Sequence, residues 1–586
     1  MSPVRMRGLL AGPLIALFML ASPCSPASAE DAPEAGWAAD RPATAKSAMI
    51  AAADPLAVEA GLAILREGGS AADAAVAVQM TLNLVEPQSS GIGGGAFALY
   101  WDAARKRLTS YDGRETAPAA ATPERFMAAG RPRGFADAVF GGLSVGVPGA
   151  LRMLEAIHRQ NGRLPWASLF AFAGRLAADG FRVSPRLHLL LRAYGPERFG
   201  PEAGQYFFDA TGSARPAGYL LKNPEFAATL SAIAEGGADA FYLGPLAEAI
   251  VKAVDDAPNH QGDMTSGDLA AYRVEERDPL CFAYRRHRVC GMGPPSSGAL
   301  AVGQVLKLIE PFDLGKTPQD AMNAPALHLI AEAEKLAFAD RNYFVADPAF
   351  VTLPSGLLEE GYLATRRALI NPRLAMGAAP PGEPPAAMRH TLGLDASVER
   401  PGTSHFSIVD RDGNVLAVTT SIEGAFGSRL WAGGFLLNNE LTDFAFRPTD
   451  QAGRPLANAV ASGKRPRSSM APTIVFDERD RPIAVLGSSG GTRIILYVVK
   501  TLVALIDWKL DAQAATGLMN FGSRGGPFEI EVDRTAAIWH ALNVKPYGHA
   551  ISADLLTSGT QVIVRRPDGT LQGGADPRRE GVARGD

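Results

Sequence analysis

The segment GTSHFSIVDRDGNVLAVTTS, residues 402–421, decides the fold of this 586-residue chain. Its two apolar stretches alternate with the period-two pattern of strands buried in a sheet. The intervening Arg411, Asp412 and Gly413 predict a three-residue hairpin loop in which Gly413 takes the left-handed conformation. That register places Thr403, at the start of the first strand, opposite Ser421 at the end of the second.

A stretch of different character precedes this hairpin. Residues 371–390 read NPRLAMGAAPPGEPPAAMRH, and no apolar period appears before Gly402. Such a composition predicts a solvent-exposed linker. A core strand that begins abruptly at the end of a linker is what an N-terminal-nucleophile hydrolase needs, because backbone cleavage there exposes a Thr, Ser or Cys.

Thr403 has the chemistry for this role. Gly402 carries no side chain to obstruct attack of the Thr403 hydroxyl on the preceding carbonyl, which would turn the peptide into an ester that water opens. The α-amino group released has an ordinary pKa of about 7.7 to 8.0 and would serve as general base, so no histidine is required. The facing Ser421 hydroxyl would hydrogen-bond the Thr403 oxygen and hold it for attack.

Residues 402–421 also resemble the start of the small subunit of γ-glutamyltranspeptidases. Further segments resemble that family in the same order: DGRETAP at 112–118, FLLNNELTDF at 435–444, KRPRSSMAPTIV at 464–475 and GSSGGTRII at 487–495. The resemblance implies an α+β fold, a four-layer αββα sandwich with two antiparallel sheets between helical layers. Residues 30–402 would be the large subunit and 403–586 the small catalytic subunit, together forming one composite domain after autocleavage.

The resemblance also assigns the substrate-binding residues. The α-carboxylate of the substrate would be held by a guanidinium and two hydroxyls, those of Arg114, Ser468 and Ser469. The α-ammonium would be bound by Glu440 and Asp443. The N–H groups of Gly490 and Gly491 would form the oxyanion hole. Taken alone, these residues also fit structural roles in a surface turn, a helix cap and a strand-to-helix turn.

Three features depart from the family pattern. Ser421 replaces a frequent Thr but keeps the hydroxyl. Glu423 stands where well-known members have an Asn that touches the α-ammonium, so three carboxylates would crowd one site and demand a cation such as Arg429. The loop at 445–463 is short beside members that carry a lid, which predicts a more open pocket.

The implied reaction is cleavage of γ-glutamyl amides such as glutathione through a Thr403 acyl-enzyme, with transfer of the acyl group to water or to amino acids and peptides. The alternative with the same nucleophile is an acylase for glutaryl-type amides, including cephalosporin side chains. Neither requires a cofactor. Two cysteines beyond the leader and nine scattered histidines give no spacing suited to a metal site.

Charge and the N-terminus indicate where the protein acts. The 57 basic and 61 acidic residues are interspersed, which argues against a nucleic-acid partner. Residues 1–29 combine Arg5 and Arg7, an apolar stretch at 9–20 and the sequence Ala-Ser-Ala at 27–29, the pattern of a signal peptide. The apolar stretch is too short for a membrane anchor, so we expect an exported, periplasmic or secreted protein without a membrane span in its mature form.

Cys281 and Cys290 lie in PLCFAYRRHRVC. If Arg285 and Arg286 form a two-residue turn, the two cysteines face each other and could form a cross-strand disulfide in an oxidising compartment. Two separate buried thiols are the alternative.

Two rival motifs fit their contexts poorly. Gly142–Gly146 reads G-x-S-x-G around Ser144, but no apolar strand precedes it as a nucleophile elbow requires. Gly91–Gly95 follows a helix and runs into a strand, the reverse of a dinucleotide site. Periodicity further predicts a strand at 49–53 and helices at 55–67, 70–84, 149–159, 165–179, 225–235, 245–255 and 318–342.

Overall fold

The hairpin at the linker's end lies at the centre of a seven-stranded sheet. The computed structural model describes residues 41–385, 392–395, 397, 402–532 and 535–586. In it Ser404–Val409 pairs antiparallel with Val415–Ser421, and Ser404 faces Thr420 as the predicted register requires. Gly413 has a φ of 83°, the left-handed conformation that lets the short loop close.

The strands of the two main sheets are numbered in chain order. They are β1 (Ala43–Ala45), β2 (Met49–Ala52), β3 (Gly95–Asp102), β4 (Arg107–Gly113), β5 (Glu275–Arg277), β6 (Leu280–Tyr284), β7 (His287–Gly291), β8 (Ser404–Val409), β9 (Val415–Ser421), β10 (Thr473–Phe476), β11 (Pro482–Gly487), β12 (Gln561–Arg565), β13 (Leu571–Ala575) and β14 (Val582–Gly585).

Both sheets are antiparallel and mix strands from either side of residue 402. The first sheet has the order β1-β13-β12-β11-β10-β7-β6, and the second has the order β14-β2-β8-β9-β3-β4-β5. The sheets pack face to face through strands that include β9 and β11. Met49, Leu99 and Phe476 belong to the apolar layer between the sheets. Residues on both sides of the 402–403 bond therefore contribute to one shared core.

The longer helices are α1 (Pro55–Arg66), α2 (Ala71–Val85), α3 (Ala150–Asn161), α4 (Ala171–Asp179), α5 (Pro185–Tyr194), α6 (Pro224–Gly236), α7 (Pro245–Asp255), α8 (Gly298–Ile309), α9 (Ala324–Phe344), α10 (Glu360–Arg367), α11 (Ile494–Ile506) and α12 (Thr535–Val544). Shorter helices span Phe135–Val139, Pro201–Phe207, Asp239–Tyr242, Ser266–Ala271 and Ala512–Gly517. Minor strands are Met127–Ala128, Arg131–Pro132, Phe181–Arg182, Leu220–Leu221, Trp431–Ala432, Phe435–Leu436, Phe521–Gly522, Phe528–Glu531 and Ile551–Asp554.

The helices cover the outer faces of the two sheets. Residues of α1 to α7 share an apolar core with the second sheet, and residues of α8, α9 and α11 share another with the first. Because each sheet buries both faces, the architecture is the predicted four-layer αββα sandwich. Among the described residues no helix combines the length and the hydropathy that a membrane span requires.

Local sequence explains where the helices begin. The Asp54 carboxylate accepts from Leu56 N–H ahead of α1, and Ser70 forms a capping box with Asp73 ahead of α2. The predicted helix at 318–342 is wrong in its first turn. Asn323 caps a new helix at Ala324, so only a short turn spans Pro318–Asp320.

Three predicted segments have different outcomes. The signal at residues 1–29 lies outside the described residues. The linker is not uniformly exposed, because Asp395 is buried. Its carboxylate lies 2.7 Å from the Arg467 guanidinium, and this ion pair anchors residues 392–395 to the rest of the protein. The cysteine hairpin has the predicted register, and the structure joins Cys281 to Cys290 by a disulfide.

Candidate active site

The nucleophile candidate, Thr403, is buried immediately before the start of β8. The Thr403 hydroxyl contacts the carbonyl oxygen of Gly402, and its oxygen is 3.3 Å from that of Ser421. Ser421 also donates to the Gly402 carbonyl at 3.1 Å and accepts the Glu423 N–H at 2.8 Å. The hydroxyls of Thr403 and Ser421 therefore both lie at the Gly402–Thr403 peptide bond, as the register predicted. This is the bond at which the sequence predicts cleavage.

Close packing explains why a glycine precedes Thr403. A Cβ atom at position 402 would lie 2.1 Å from the backbone oxygen of Glu423, a contact that no side chain can make. His405, the histidine nearest in sequence, lies buried with its ring nitrogens hydrogen-bonded to Thr419 and Ser407. Burial lowers its pKa to about 3, so His405 is a neutral, fully engaged side chain.

Most of the residues expected to bind substrate line the same small cavity as Thr403, but Arg114 and Gly490 are not part of its lining. The cavity is lined by Gly402, Thr403, Ser421, Glu423, Glu440, Asp443, Ser468, Ser469, Met470, Gly491 and Ile494. Its volume is about 10 Å³, at the lower limit for a single water molecule. The uncleaved chain therefore has little free space beside Thr403, in contrast to the open pocket expected from the short loop at 445–463.

Arg114 joins two carboxylates that line this cavity, those of Glu440 and Asp443. It is fully buried, pairs with Glu440 and donates to Asp443 Oδ2 at 2.6 Å. It also donates to the backbone oxygens of Pro466 and Arg467, which fixes the loop before the two serines. Burial opposes the charged form, but Glu440 and Asp443 outweigh it and raise the pKa of Arg114.

The pair Ser468 and Ser469 lines the cavity without touching Arg114. Ser469 Oγ accepts from the buried Arg341 at 2.7 Å, and Ser468 Oγ accepts the Met470 N–H at 3.1 Å. In the uncleaved chain both hydroxyls thus serve the protein itself. Their predicted contact with a substrate carboxylate stays a prediction.

Glu423 lines the cavity, but Arg429, the cation expected to balance its charge, is not part of the lining. Asn439 Nδ2 donates to Glu423 Oε2 at 3.1 Å, while the N–H of Gly424 donates to the Asn439 side-chain oxygen. The Arg429 guanidinium instead stacks on the rings of Phe140 and Tyr194, 3.8 and 4.9 Å from their centroids. The expectation that Arg429 balances the carboxylates is wrong, because aromatic packing holds its side chain away.

Gly490 and Gly491 follow β11 and open the turn into α11. Gly490 has a φ of 142°, and a Cβ atom there would lie 2.5 Å from the Tyr497 ring. No hydrogen bond between described residues uses the N–H of either glycine. Gly491 lines the cavity with Thr403, so this turn can offer N–H groups to an oxyanion.

Sequence reasoning missed several polar residues of the site. Glu115 is buried beside Arg114, and burial together with Glu440 raises its pKa well above the usual range. Arg579 donates to the Thr403 carbonyl oxygen at 2.8 Å and lies 3.2 Å from Glu86. Glu115 follows Arg114 directly and could have been noticed, whereas the partners of Arg579 are far away in sequence.

Two other sequence features lie outside this site. Ser144 is in a short helical turn and donates to the backbone oxygens of Val139 and Gly141, so it is not a nucleophile on an elbow. Contrary to the expectation from spacing, His328, Glu332 and His549 lie within metal-ligand distance of one another.

Hydrogen bonds already occupy that histidine cluster. His328 Nδ1 and His549 Nε2 are 2.8 Å apart, and Lys335 donates to Glu332 at 2.9 Å. Burial, with Lys335 and His328 nearby, lowers the pKa of His549 to about 4. The two histidines are therefore hydrogen-bonded to each other, and the Lys335 side chain beside Glu332 opposes the binding of a second cation.

Comparisons with known proteins show the family and the fold to which the chain is similar. Residues 57–585 match the family model described as Gamma-glutamyltranspeptidase. The glutathione hydrolase proenzyme of Escherichia coli (strain K12) is 35% identical over 576 residues, which cover 96% of this chain and 97% of the relative. The acylase ACY 1 proenzyme of Pseudomonas sp. (strain SE83) is 34% identical, covering 92% of this chain and 94% of the relative.

A solved structure extends the similarity to the fold. The cephalosporin acylase from Bacillus halodurans superposes with a TM-score of 0.82 at 29% identity, covering 96% of this chain and 99% of that one. The sandwich is thus that of the N-terminal-nucleophile hydrolases. With motifs, fold and near-complete coverage in agreement, the chain belongs to the gamma-glutamyltranspeptidase family of enzymes.

Proposed function

We propose that this enzyme cleaves itself at Gly402–Thr403 and then hydrolyses or transfers γ-glutamyl groups, as in glutathione. One arrangement carries the proposal: the Thr403 hydroxyl shares a cavity with Glu440 and Asp443, which flank the buried Arg114. A γ-glutamyl group ends in one carboxylate and one ammonium. This charge pair matches a site built from one guanidinium and two carboxylates.

Autocleavage comes first in the proposed sequence. Thr403 Oγ adds to the Gly402 carbonyl carbon, the C–N bond breaks, and the nitrogen takes up a proton as the α-amino group of Thr403. Water then hydrolyses the ester, which leaves a carboxylate on Gly402 and restores the hydroxyl. Ser421, 3.1 Å from the Gly402 oxygen, supports this step as a hydrogen-bond donor to that oxygen.

In turnover the neutral α-amino group accepts the Thr403 hydroxyl proton while the oxygen attacks the γ-glutamyl carbonyl. The N–H groups of Gly490 and Gly491 bind the oxyanion, and the leaving amine departs with a proton. An amino acid, a peptide or water then takes the acyl group. Removal of one oxyanion donor typically slows such a step by about 10²- to 10³-fold.

Zwitterion recognition favours a γ-glutamyl over a glutaryl substrate. A substrate carboxylate replaces Glu440 or Asp443 as partner of Arg114, and its ammonium rebinds the carboxylates that Arg114 releases. A glutaryl group supplies only the carboxylate and brings no cation for Glu440 or Asp443. The ammonium of a γ-glutamyl group adds an ion pair that a glutaryl group cannot make, which supports the γ-glutamyl reaction.

A glutaryl-type acylase is the second candidate, favoured by the similarity to the two acylases. Turnover of γ-glutamyl-p-nitroanilide against glutaryl-p-nitroanilide, with and without glycylglycine, separates the two functions. The first is supported by a higher kcat/KM for the γ-glutamyl compound and by stimulation with glycylglycine. Preference for the glutaryl compound would replace it with the second.

We also propose that the protein is exported and acts in the periplasm or outside the cell. The leader pattern at residues 1–29 and the Cys281–Cys290 disulfide support this location, since disulfides persist in oxidising compartments. N-terminal sequencing of the secreted or periplasmic fraction should place the new terminus at residue 30. A full-length leader retained in the cytoplasm would contradict export.

A further inference from the structure

A buried arginine from the C-terminal segment holds the backbone of the nucleophile. Arg579, 4% exposed, donates from Nη1 to the Thr403 carbonyl oxygen at 2.8 Å. That carbonyl belongs to the bond with Ser404, on the other side of Thr403 from the proposed cut. Cleavage at Gly402 therefore leaves the contact with Arg579 in place in the mature enzyme.

The Glu86 carboxylate is the ion-pair partner of Arg579 near the nucleophile. Glu86 Oε1 lies 3.2 Å from Arg579 and 3.3 Å from Arg186, and Glu86 Oε2 accepts from the Ser404 hydroxyl at 2.5 Å. Two guanidinium groups thus share Glu86. Burial and the neighbouring Arg579 lower the pKa of Arg186 to about 10.

Among the described residues, the other charged groups near Thr403 and Glu86 fall into two sets. On the α1 side, Asp54 has its pKa raised to about 7 by burial, with contributions from Glu580 and Glu86. On the substrate side are Glu423, Glu440, Asp443 and Arg114. Arg579 is distinguished from all of these because it is the cation bonded to the backbone of Thr403 itself.

We propose that Arg579, with Glu86 as its counter-ion, is a positioning residue that orients Thr403 and favours the neutral, basic form of its α-amino group after cleavage. A positive charge at the carbonyl disfavours an ammonium two bonds away from that carbonyl carbon. The fixed carbonyl also sets the direction of the Thr403 side chain toward Ser421. This inference rests on the proposed N-terminal-nucleophile function.

The acid limb of the pH–rate profile reports the protonation of the α-amino base in the free enzyme. We compare wild-type, Arg579→Met and Arg579→Lys, each purified as cleaved enzyme, through kcat/KM for γ-glutamyl-p-nitroanilide. In Arg579→Met the limb should move to higher pH by about half to one unit, and in Arg579→Lys by less, because the charge is kept. An active Arg579→Met enzyme with the wild-type limb would overturn the proposal.

Glu86→Gln provides an opposite test, because it removes the carboxylate and leaves the guanidinium. Its acid limb should move to lower pH, which simple loosening of the site would not produce. Arg125→Met is the matched control: Arg125 is also a buried arginine with an acidic partner, Asp263, but it donates to Asp263 and to the Leu143 carbonyl oxygen rather than to Thr403. Its limb should stay in place.

Variants that fail to mature also test the proposal. If Arg579→Met stays uncleaved, the opposite shifts of Arg579→Lys and Glu86→Gln decide, and unmoved limbs in both would overturn the proposal. If all three fail to mature while Arg125→Met matures, Arg579 acts on cleavage alone and the claim about the base is wrong. A wild-type chain that is active without cleavage would instead refute the proposed function.

Discussion

Arg114 Nη2 lies 2.6 Å from Asp443 Oδ2, so the group expected to bind the substrate's carboxylate is bound to one expected to bind its ammonium. The Arg114 guanidinium is thus paired within the protein before substrate binds. Binding of a zwitterion then exchanges ion pairs within the site for ion pairs with the substrate. This exchange makes substrate selection depend on both charged ends.

Replacement of Arg114 by Ala should impair γ-glutamyl and glutaryl substrates in parallel, because both carry the carboxylate that the guanidinium binds. Truncation of one partner of a buried charge pair costs about 2 to 5 kcal/mol, here expected as lost kcat/KM. Steady-state kinetics with both p-nitroanilides measures it, and Arg125→Ala is the control for loss of a buried arginine. Selective loss of one substrate would contradict the assignment.

Replacement of Glu423 by Asn should raise the preference for γ-glutamyl over glutaryl substrate. A third carboxylate near Glu440 and Asp443 repels them, and an Asn reads the ammonium without that charge. We expect the ratio of the two kcat/KM values to change by roughly 1 to 2 kcal/mol. Glu423→Gln controls for charge at constant length, and an unchanged ratio in both variants at several pH values would show that residue 423 does not read the amine.

Removal of the Ser421 hydroxyl should slow both self-cleavage and turnover, because its oxygen lies 3.3 Å from Thr403 Oγ1 and 3.1 Å from the Gly402 oxygen. Ser421→Ala should lose about 10²-fold in each rate, the usual effect of one aligned donor. Ser421→Thr keeps the hydroxyl and should stay within a few fold of wild-type. The time course of the two fragments on a denaturing gel and steady-state kinetics give the two rates, and a fully active Ser421→Ala would contradict the role.

Much of the fold could be predicted because its signals are local. Period-two alternation and Gly413 determine the register of the β8–β9 hairpin, and caps such as Ser70 determine helix starts. The Cys281–Cys290 register follows from the two-residue turn in the same way. Residues of the site that lie within family motifs, such as Arg114 and Asp443, were likewise recognisable from short stretches of sequence.

What could not be predicted depends on contacts between distant parts of the chain. Arg579 meets Thr403 across 176 positions and Glu86 across 493, and no local pattern indicates either contact. The same holds for the insertion of Arg114 between Glu440 and Asp443 and for the stacking of Arg429 on aromatic rings. These pairings depend on which side chains the fold brings together, and residue type alone does not indicate them.

The disulfide should stabilise the edge of the first sheet without affecting catalysis. Its loop spans only 9 positions, so the loop-closure model gives at most about 2 to 3 kcal/mol. Cys281→Ala/Cys290→Ala should lower the free energy of unfolding by up to that amount and leave kcat/KM unchanged. Denaturant unfolding measures the loss. Two alkylatable thiols in freshly exported wild-type protein would contradict the bridge.

The identity of the nucleophile is tested most directly by the fate of the chain in Thr403→Ala. At the mean residue mass of this protein, 61.6 kDa over 586 residues, wild-type enzyme without its leader should give pieces of about 39 and about 19 kDa. Thr403→Ser keeps a hydroxyl and should still be cut, with Thr or Ser at the new N-terminus by sequencing. The account predicts that Thr403→Ala remains one inactive chain. Fragments of about 39 and 19 kDa from Thr403→Ala, cut after Gly402, would contradict it.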